Sequence, residues 1–150
     1  MYKRQVDHSA IRQEQVREIC EFVRDSPHRT YPAVLTGDFN ADPTSDEVRM
    51  ITGRAAVPAP PVAFFDAWEV AGASPLTDLG HTWSNDNPYA RLDLEASRRI
   101  DYLFSGFPKQ GGLGHAVRAE VVGTEAIDTG LEGGPIVPSD HYGVVADLRY

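Results

Sequence analysis

The sequence has a single cysteine, no long apolar run and few basic residues, and each shortage excludes a class of protein. Because Cys20 is the only cysteine among 150 residues, neither an intrachain disulfide nor a cysteine-based zinc cluster can form. No segment approaches the ~18 apolar residues of a membrane helix, and the first residues lack the apolar core of a signal peptide. We therefore expect a cytoplasmic protein, unless sequence upstream of Met1 carries a signal.

Acidic residues outnumber basic ones, with 22 Asp and Glu against 14 Lys and Arg and a formal net charge of -8. Such a chain lacks the basic surface by which proteins hold the nucleic-acid backbone without a metal. It still admits a phosphate substrate, because a bound divalent cation reverses the field inside an acidic cleft. Composition therefore argues weakly against a nuclease and not at all against a phosphatase.

Two helices are predicted early in the chain. The first covers residues 10–24, with Ser9 as its N-cap and Pro27 beyond its end. The second is short, begins after the N-cap Ser45 and ends near Gly53. Apolar residues of the first helix share one broad face: Ile11, Val16, Ile19, Cys20 and Val23.

Strands are predicted around these helices and dominate the rest of the chain. Residues 33–36 read as a short buried strand, and residues 64–68 begin an apolar helix or strand. Residues 54–62 form a proline-rich connection, and residues 80–97 are mostly loop. This order predicts one α/β or α+β domain over residues 1–150. Further strands are predicted at residues 99–104, 116–122 and 142–148.

The first polar cluster is Gly37-Asp38-Phe39-Asn40, directly after an apolar run. Asp38 and Asn40 alternate with Phe39, so in an extended segment both polar side chains point to the same side. They could offer a carboxylate and an amide to a metal, a water or a phosphate oxygen. An Asx-type turn, in which both side chains bind local backbone, is the alternative and is favoured when this cluster is considered alone.

The second cluster places Asp101 inside a predicted strand, between Ile100 and Tyr102. A charge in that position is costly unless it is paired. A structural ion pair with Arg99 or another cation explains Asp101 at least as well as a functional role does.

The third cluster is Ser139-Asp140-His141, just before the last predicted strand. A carboxylate next to an imidazole suits metal ligation combined with proton transfer or with stabilisation of transition-state charge. A helix cap or a turn is the alternative, since Ser-Asp is common in both.

In this order, Gly-Asp-x-Asn, Arg-x-Asp-Tyr and Ser-Asp-His resemble the C-terminal signature of the DNase I-like endonuclease/exonuclease/phosphatase superfamily. The resemblance extends from about Val6 to Leu148, and His81-Thr82-Trp83 matches a loop common in that family. It implies the C-terminal portion of a four-layer sandwich, with β-sheets packed inside helices and the N-terminal portion absent.

The resemblance also implies a role for each polar residue. Asp38 would orient or deprotonate the attacking water, and Asn40 would contact the scissile phosphate. His141 would stabilise the developing charge or act as a base, and Asp101 would fix its tautomer. Asp140, together with Asp38, would hold Mg²⁺ or Mn²⁺, which prefer oxygen ligands.

The chain departs from the family pattern near its start. The family's N-terminal half contributes an Asn and the principal metal-binding Glu, and neither region is in this sequence. Asp7 and His8 match the family, but Gln5 stands where the family has a catalytic His. A glutamine can hydrogen-bond a phosphate but cannot carry a proton at neutral pH. The further candidates to line the cleft are Gln5, His8, His81 and Arg99.

The implied function is metal-dependent hydrolysis of a phosphodiester or phosphomonoester by in-line attack of water. Arg98 stands where abasic-site endonucleases carry an aromatic residue. With the acidic balance, this favours a small ester or a lipid headgroup over duplex DNA. The alternatives are an inactive remnant or binding module, or a shortened form of an active enzyme. Uncovered apolar sheet surface would favour self-association or a partner that supplies the missing half.

Overall fold

Helices and antiparallel strands alternate along the chain in the computed structural model, which describes residues 8–27, 30–74, 77–130, 132 and 134–150. Short 3-10 turns occur at Ala90–Asp93 and Gln110–Gly112. None of the helices within these ranges is long and apolar enough to cross a membrane. In chain order the elements are α1 (Ser9–Asp25), β1 (Val34–Asp38), α2 (Asp46–Ile51), β2 (Phe64–Asp66), α3 (Ala67–Ala71), β3 (Asp101–Gly106), β4 (Ala116–Val122) and β5 (Gly143–Leu148).

The strands form two antiparallel sheets. The first has the order β1-β3-β2, so β3 is its central strand, and the second consists of β4 and β5. In the first sheet Asp38 lies directly opposite Asp101, and β2 pairs with β3 only between Gly106 and Phe104. Strand β5 lies against β3, and α3 packs on β4. The two sheets are therefore joined through β3, which carries Asp101 at its first position.

Helices α1 and α2 cover one face of the three-stranded sheet with a continuous apolar core. Cys20, Ile51 and Phe104 are fully buried there, and Phe39 packs edge-on against Phe104 with ring centroids 5.3 Å apart. Burial raises the pKa of the Cys20 thiol above its usual value. A second core lies between α3 and the β4-β5 sheet, where Trp68 is 5 % exposed.

The strand predicted at residues 33–36 is present, but the prediction that it is buried is wrong. Strand β1 is the edge of its sheet, and all of its residues except Leu35 are exposed; Val34 is 45 % exposed. Alternation of side chains explains this, because Leu35 points to the helices while Val34, Thr36 and Asp38 point to the other face. The carboxylate at the end of β1 is therefore accessible.

Two details of α1 also differ from prediction. His8, not Ser9, is the N-cap, without a side-chain capping bond, and Ser9 instead accepts a 3.1 Å hydrogen bond from the Gln13 side chain. Ile11 is 57 % exposed because five positions separate it from buried Val16, a rotation of about 140° around the helix. The buried stripe is consequently narrower than the sequence suggested.

Several other elements confirm the prediction. Ser45 caps α2, accepting from the Val48 amide at 3.4 Å, and β4 has the predicted bounds. The segment that left helix and strand open contains both, since β2 ends at Asp66 and α3 begins at the next residue. Asp66 caps α3 through the Trp68 amide at 3.0 Å.

Candidate active site

Two carboxylates face each other at one end of the three-stranded sheet. Asp38 is the last residue of β1, Asp101 is the first residue of β3, and the two are direct partners in the ladder. The Phe39 amide donates to the Ile100 carbonyl at 2.8 Å and closes this end. Like charges placed directly opposite in neighbouring strands are normally destabilising. A sequence that keeps them there marks the position as a candidate functional site.

A tight turn after β1 holds the Asp38 carboxylate. The Asn40 amide donates to Asp38 Oδ1 at 2.8 Å, and the Asn40 side chain donates to Oδ2 at 2.9 Å. Asn40 adopts φ +48°, a left-handed conformation that asparagine tolerates better than most residues. The Asx-type turn considered for this cluster is therefore present, and it aims Asp38 at Asp101 rather than away from it.

The environment of Asp38 raises the pKa of its carboxyl group. Although the residue as a whole is exposed, loss of water around the carboxylate is the largest influence and raises the pKa of Asp38. The neighbouring Asp101 adds to the rise, while the hydrogen bonds from Asn40 and the nearby His141 oppose it. A carboxyl with a raised pKa, next to a second carboxylate, is suited to accepting a proton.

His141 lies beside the two carboxylates and contacts Asp101 directly. Its Nδ1 lies 2.9 Å from Asp101 Oδ2, within hydrogen-bond distance, and both side chains are about three-quarters buried. Donor atoms of Asp38, Asp101 and His141 all lie within 4.8 Å of one another. An ionised Asp101 holds the proton on Nδ1 and leaves Nε2 as the nitrogen free for other chemistry.

Asp101 does not pair with Arg99, one of the cations considered for a structural ion pair. Arg99 is 4 % exposed and forms a buried ion pair with Asp66, and its guanidinium lies 4.9 Å from the Tyr102 ring centroid. Burial is the largest influence on Asp66 and raises its pKa, while Arg99 opposes the rise. The charge of Arg99 is thus already matched inside the protein.

Asp140 lies outside the cluster formed by Asp38, Asp101 and His141. It is exposed, and its Oδ1 is 3.3 Å from the Ser139 hydroxyl. The same hydroxyl accepts from the His141 amide at 3.1 Å, so the Ser-Asp turn considered for this segment is present. The role of Asp140 as a metal ligand stays a prediction, without support from its position.

The residues suggested to line a cleft fall into separate groups. His81 and Arg99 line a cleft of about 370 Å³, together with Asp42 and Arg98. Burial raises the pKa of Asp42, and the nearby Arg98 and His81 oppose this. His8 is exposed at the start of α1, and Gln5 lies outside the described residues.

A model of the Endonuclease/Exonuclease/phosphatase family matches residues 3–141, which is most of the chain and reaches from before α1 to His141. The chain belongs to this family. A search of the curated proteins gives no significant match.

Solved structures support the same fold. A humanized D. rerio TDP2 with 14 mutations has a TM-score of 0.63 and 20% identity, covering 96% of this chain and 50% of its own. Truncated Caenorhabditis elegans TDP2 has a TM-score of 0.56 and 21% identity, covering 92% and 48%. A family protein from Bacteroides thetaiotaomicron has a TM-score of 0.53 and 24% identity, covering 97% and 43%. The chain spans about half the length of these proteins, and the predicted partial DNase I-like fold is confirmed.

A divalent metal, which the family commonly uses, is only partly matched by these residues. Asp38 and Asp101 offer the carboxylate oxygens that Mg²⁺ and Mn²⁺ prefer. Both oxygens of Asp38 already accept from Asn40, and Asp101 Oδ2 is engaged with His141. The oxygen atoms of the cluster are the type of ligand that Mg²⁺ and Mn²⁺ prefer. The cluster alone, however, supplies fewer oxygens than either cation normally binds.

Sequence analysis gave no role to three residues that the structure places in supporting contacts. Trp83 packs edge-on against His141 with ring centroids 5.0 Å apart, and the fully buried Asn87 donates to the Ser139 carbonyl at 2.8 Å. Asp66 could have been noticed as a lone carboxylate in the apolar run Phe-Phe-Asp-Ala-Trp. Asn87 lies in a polar turn and gave no comparable signal.

Proposed function

We propose that the chain carries residues of a phosphoesterase site that hydrolyses a phosphate ester by attack of water. The observation that carries this proposal is the hydrogen-bonded Asp101–His141 pair facing Asp38 within 4.8 Å. A carboxylate-oriented imidazole beside a second carboxylate is suited to moving a proton and balancing charge at one centre. The family assignment supports the same class of reaction.

In the proposed reaction Asp38 orients the attacking water and accepts its proton. The raised pKa of Asp38 suits this task, because a base works best when its pKa approaches the working pH. Asn40 keeps Asp38 in place and has its amide close to the phosphate. His141, held by Asp101, donates from Nε2 to a phosphate oxygen when both of its ring nitrogens carry a proton, while the phosphorus–oxygen bond to the leaving alcohol breaks.

We propose that a bound Mg²⁺ or Mn²⁺ neutralises phosphate charge and that Asp38 contributes to holding it, with Asp140 as the further candidate. Two carboxylates in the cluster support a weak site rather than a tight one. The net charge of -8 fits an electrostatic need for a cation before an anionic substrate enters. A small phosphodiester, a phosphomonoester or a lipid headgroup fits this acidic chain better than duplex DNA.

A second candidate function is a non-catalytic member of the family that binds without turnover. It is favoured by the small number of metal ligands in the cluster. In that case the exposed face of β1, which includes Val34, serves for self-association or for a partner that completes the sandwich.

Hydrolysis of a nitrophenyl phosphodiester and of the monoester, with Mg²⁺ or Mn²⁺, distinguishes the two functions. Under the enzymatic proposal, Asp38→Ala and His141→Ala each lower turnover by at least ~10²-fold. Asp147→Ala on β5 is the matched control, because it removes an exposed carboxylate outside the cluster. Equal rates in all four proteins, or no turnover above the uncatalysed rate, would rule out the enzymatic proposal.

A further inference from the structure

Thr82 is completely buried at the place where the two partners of the Asp101–His141 pair meet. Its hydroxyl oxygen accepts hydrogen bonds from the backbone amides of Ile100 and Asp101, each at 3.1 Å. Its carbonyl accepts from the Tyr142 amide at 2.7 Å, one residue after His141. A single residue thus binds the backbone beside both members of the pair.

The topology of the sheet explains why an acceptor is needed there. Strand β2 pairs with β3 only as far as Phe104 and then turns into α3. The first residues of β3 have β1 along one edge, while β2 does not reach them along the other. The Thr82 hydroxyl provides an acceptor at this position, where buried amides would otherwise lack one.

The segment that carries Thr82 is itself fixed. The amides of Thr82 and Trp83 both lie 2.9 Å from the Arg98 carbonyl, and the Arg98 amide donates to the Trp83 carbonyl at 2.7 Å. Trp83 then packs edge-on against the imidazole of His141. Thr82 is therefore a rigid connection between the start of β3 and the turn before β5, and not merely a filler of space.

We propose that Thr82 is a positioning residue that sets the alignment of Asp101 with His141. The proposal rests on the proposed function for its catalytic meaning. Its structural content, that the hydroxyl keeps Nδ1 of His141 in a hydrogen bond with Asp101, is independent of turnover. Without the hydroxyl, the amides of Ile100 and Asp101 lose their acceptor, the start of β3 shifts, and the 2.9 Å contact lengthens.

Two pairs of variants isolate the hydroxyl. Thr82→Val keeps the shape of the side chain and loses the oxygen, whereas Thr82→Ser keeps the oxygen and loses a methyl group. Thr82→Ala against Thr82→Ser gives the same comparison if the valine variant does not fold. Thr52→Val is the matched control, because the Thr52 hydroxyl also bonds to backbone, at 2.9 Å from the Val48 carbonyl, but at the end of α2.

The decisive measurement is the tautomer of His141. It is read from the chemical shifts of the imidazole nitrogens in isotope-labelled protein, at about pH 8.5 and without divalent metal. We expect the Nδ1–H form in wild type, Thr82→Ser and Thr52→Val. We expect a shift toward the Nε2–H form, the preference of free imidazole, when the hydroxyl is absent. Folded hydroxyl-free variants that retain the wild-type tautomer would overturn the proposal.

Turnover supplies a second reading where the wild type is active. A hydroxyl-free variant should lose about tenfold in kcat with KM nearly unchanged, since substrate contacts are intact, and Thr82→Ser should recover most of it. An unchanged kcat in the hydroxyl-free variants would overturn the positioning role. If the wild type shows no turnover while the tautomer follows the hydroxyl, the proposed function fails and the positioning role stands.

Discussion

Replacing Asp38 by Asn should stabilise the folded chain at the same time as it removes the proposed base. Asp38 and Asp101 are opposite each other in the ladder, with donor atoms no more than 4.8 Å apart. At that distance two unit charges repel by roughly 0.9 kcal/mol at the dielectric constant of water and about twice that at half the dielectric. In the variant the Asn40 amide can turn so that its oxygen accepts from the new side-chain amide, and exchanging a bond to a charged oxygen for a neutral one costs about 0.5 kcal/mol.

The net gain is therefore about 0.5–1 kcal/mol, or a rise of roughly 1–4 °C in Tm for a chain of this size. Its pH dependence has a definite sign. Because the pKa of Asp38 is raised in the folded state, that state binds the proton more tightly than the unfolded chain does. Wild-type stability thus falls as pH rises from the ordinary value of 3.8 through the raised pKa, and the advantage of Asp38→Asn grows over the same window.

Thermal unfolding at several pH values between about 3.5 and 8, with a chelator present to exclude metal effects, measures this difference. Asp147→Asn is the control, because Asp147 is exposed and lies 3.4 Å from Arg118, so its neutralisation should be neutral or slightly destabilising. A lower Tm for Asp38→Asn at pH 8, or an advantage that does not grow with pH, would show that the two carboxylates do not oppose each other as argued.

Three further outcomes are expected. Asp66→Asn should lower the free energy of unfolding, measured in urea, by about 3–5 kcal/mol, because it leaves the buried charge of Arg99 uncompensated. Glu69→Gln breaks the exposed pair with Arg54 and should cost at most about 1 kcal/mol. Similar losses in both variants would contradict the argument from burial. Calorimetry should find weak Mg²⁺ or Mn²⁺ binding that Asp38→Ala weakens further, and micromolar affinity would refute the incomplete site. Light scattering should find a dimer or larger species, and a monodisperse monomer would count against self-association through β1.

The sequence revealed the polar clusters, and the family resemblance implied the contact of Asp101 with His141, but neither revealed that Asp38 lies opposite Asp101. Asp38 and Asp101 were each recognisable beside an apolar run, because charged residues at strand ends are unusual enough to be noticed. Their direct opposition depends on the pairing of β1 with β3 across 63 residues, as shown by the register. No local pattern encodes such a pairing, so the like-charge contact could only come from the structure.

The identity of the counter-charge was also hidden. A structural ion pair of Asp101 with Arg99 or another cation was the alternative to its functional role, and Arg99 is the nearest such cation in the sequence. Arg99 pairs instead with Asp66, 33 residues away, and its guanidinium lies over the ring of Tyr102. Sequence proximity favoured the wrong partner, and burial decided the right one.

Elements set by local chemistry were predicted well. Ser45 caps α2 and the bounds of β4 agree, because capping and apolar alternation act within a few residues. The exposure of Val34 in β1 was missed, since burial of a strand face depends on what packs over it. Tertiary context, rather than local propensity, separates these cases.

The single cysteine can be used to measure local opening of the native protein. Cys20 has no exposed surface and sits between α1 and the three-stranded sheet, and burial raises the pKa of its thiol. A thiol reagent can therefore react only when this part of the core opens, because the thiolate is both inaccessible and disfavoured in the closed form. The rate of labelling in native buffer would then report the opening free energy of the α1 interface without any engineered probe.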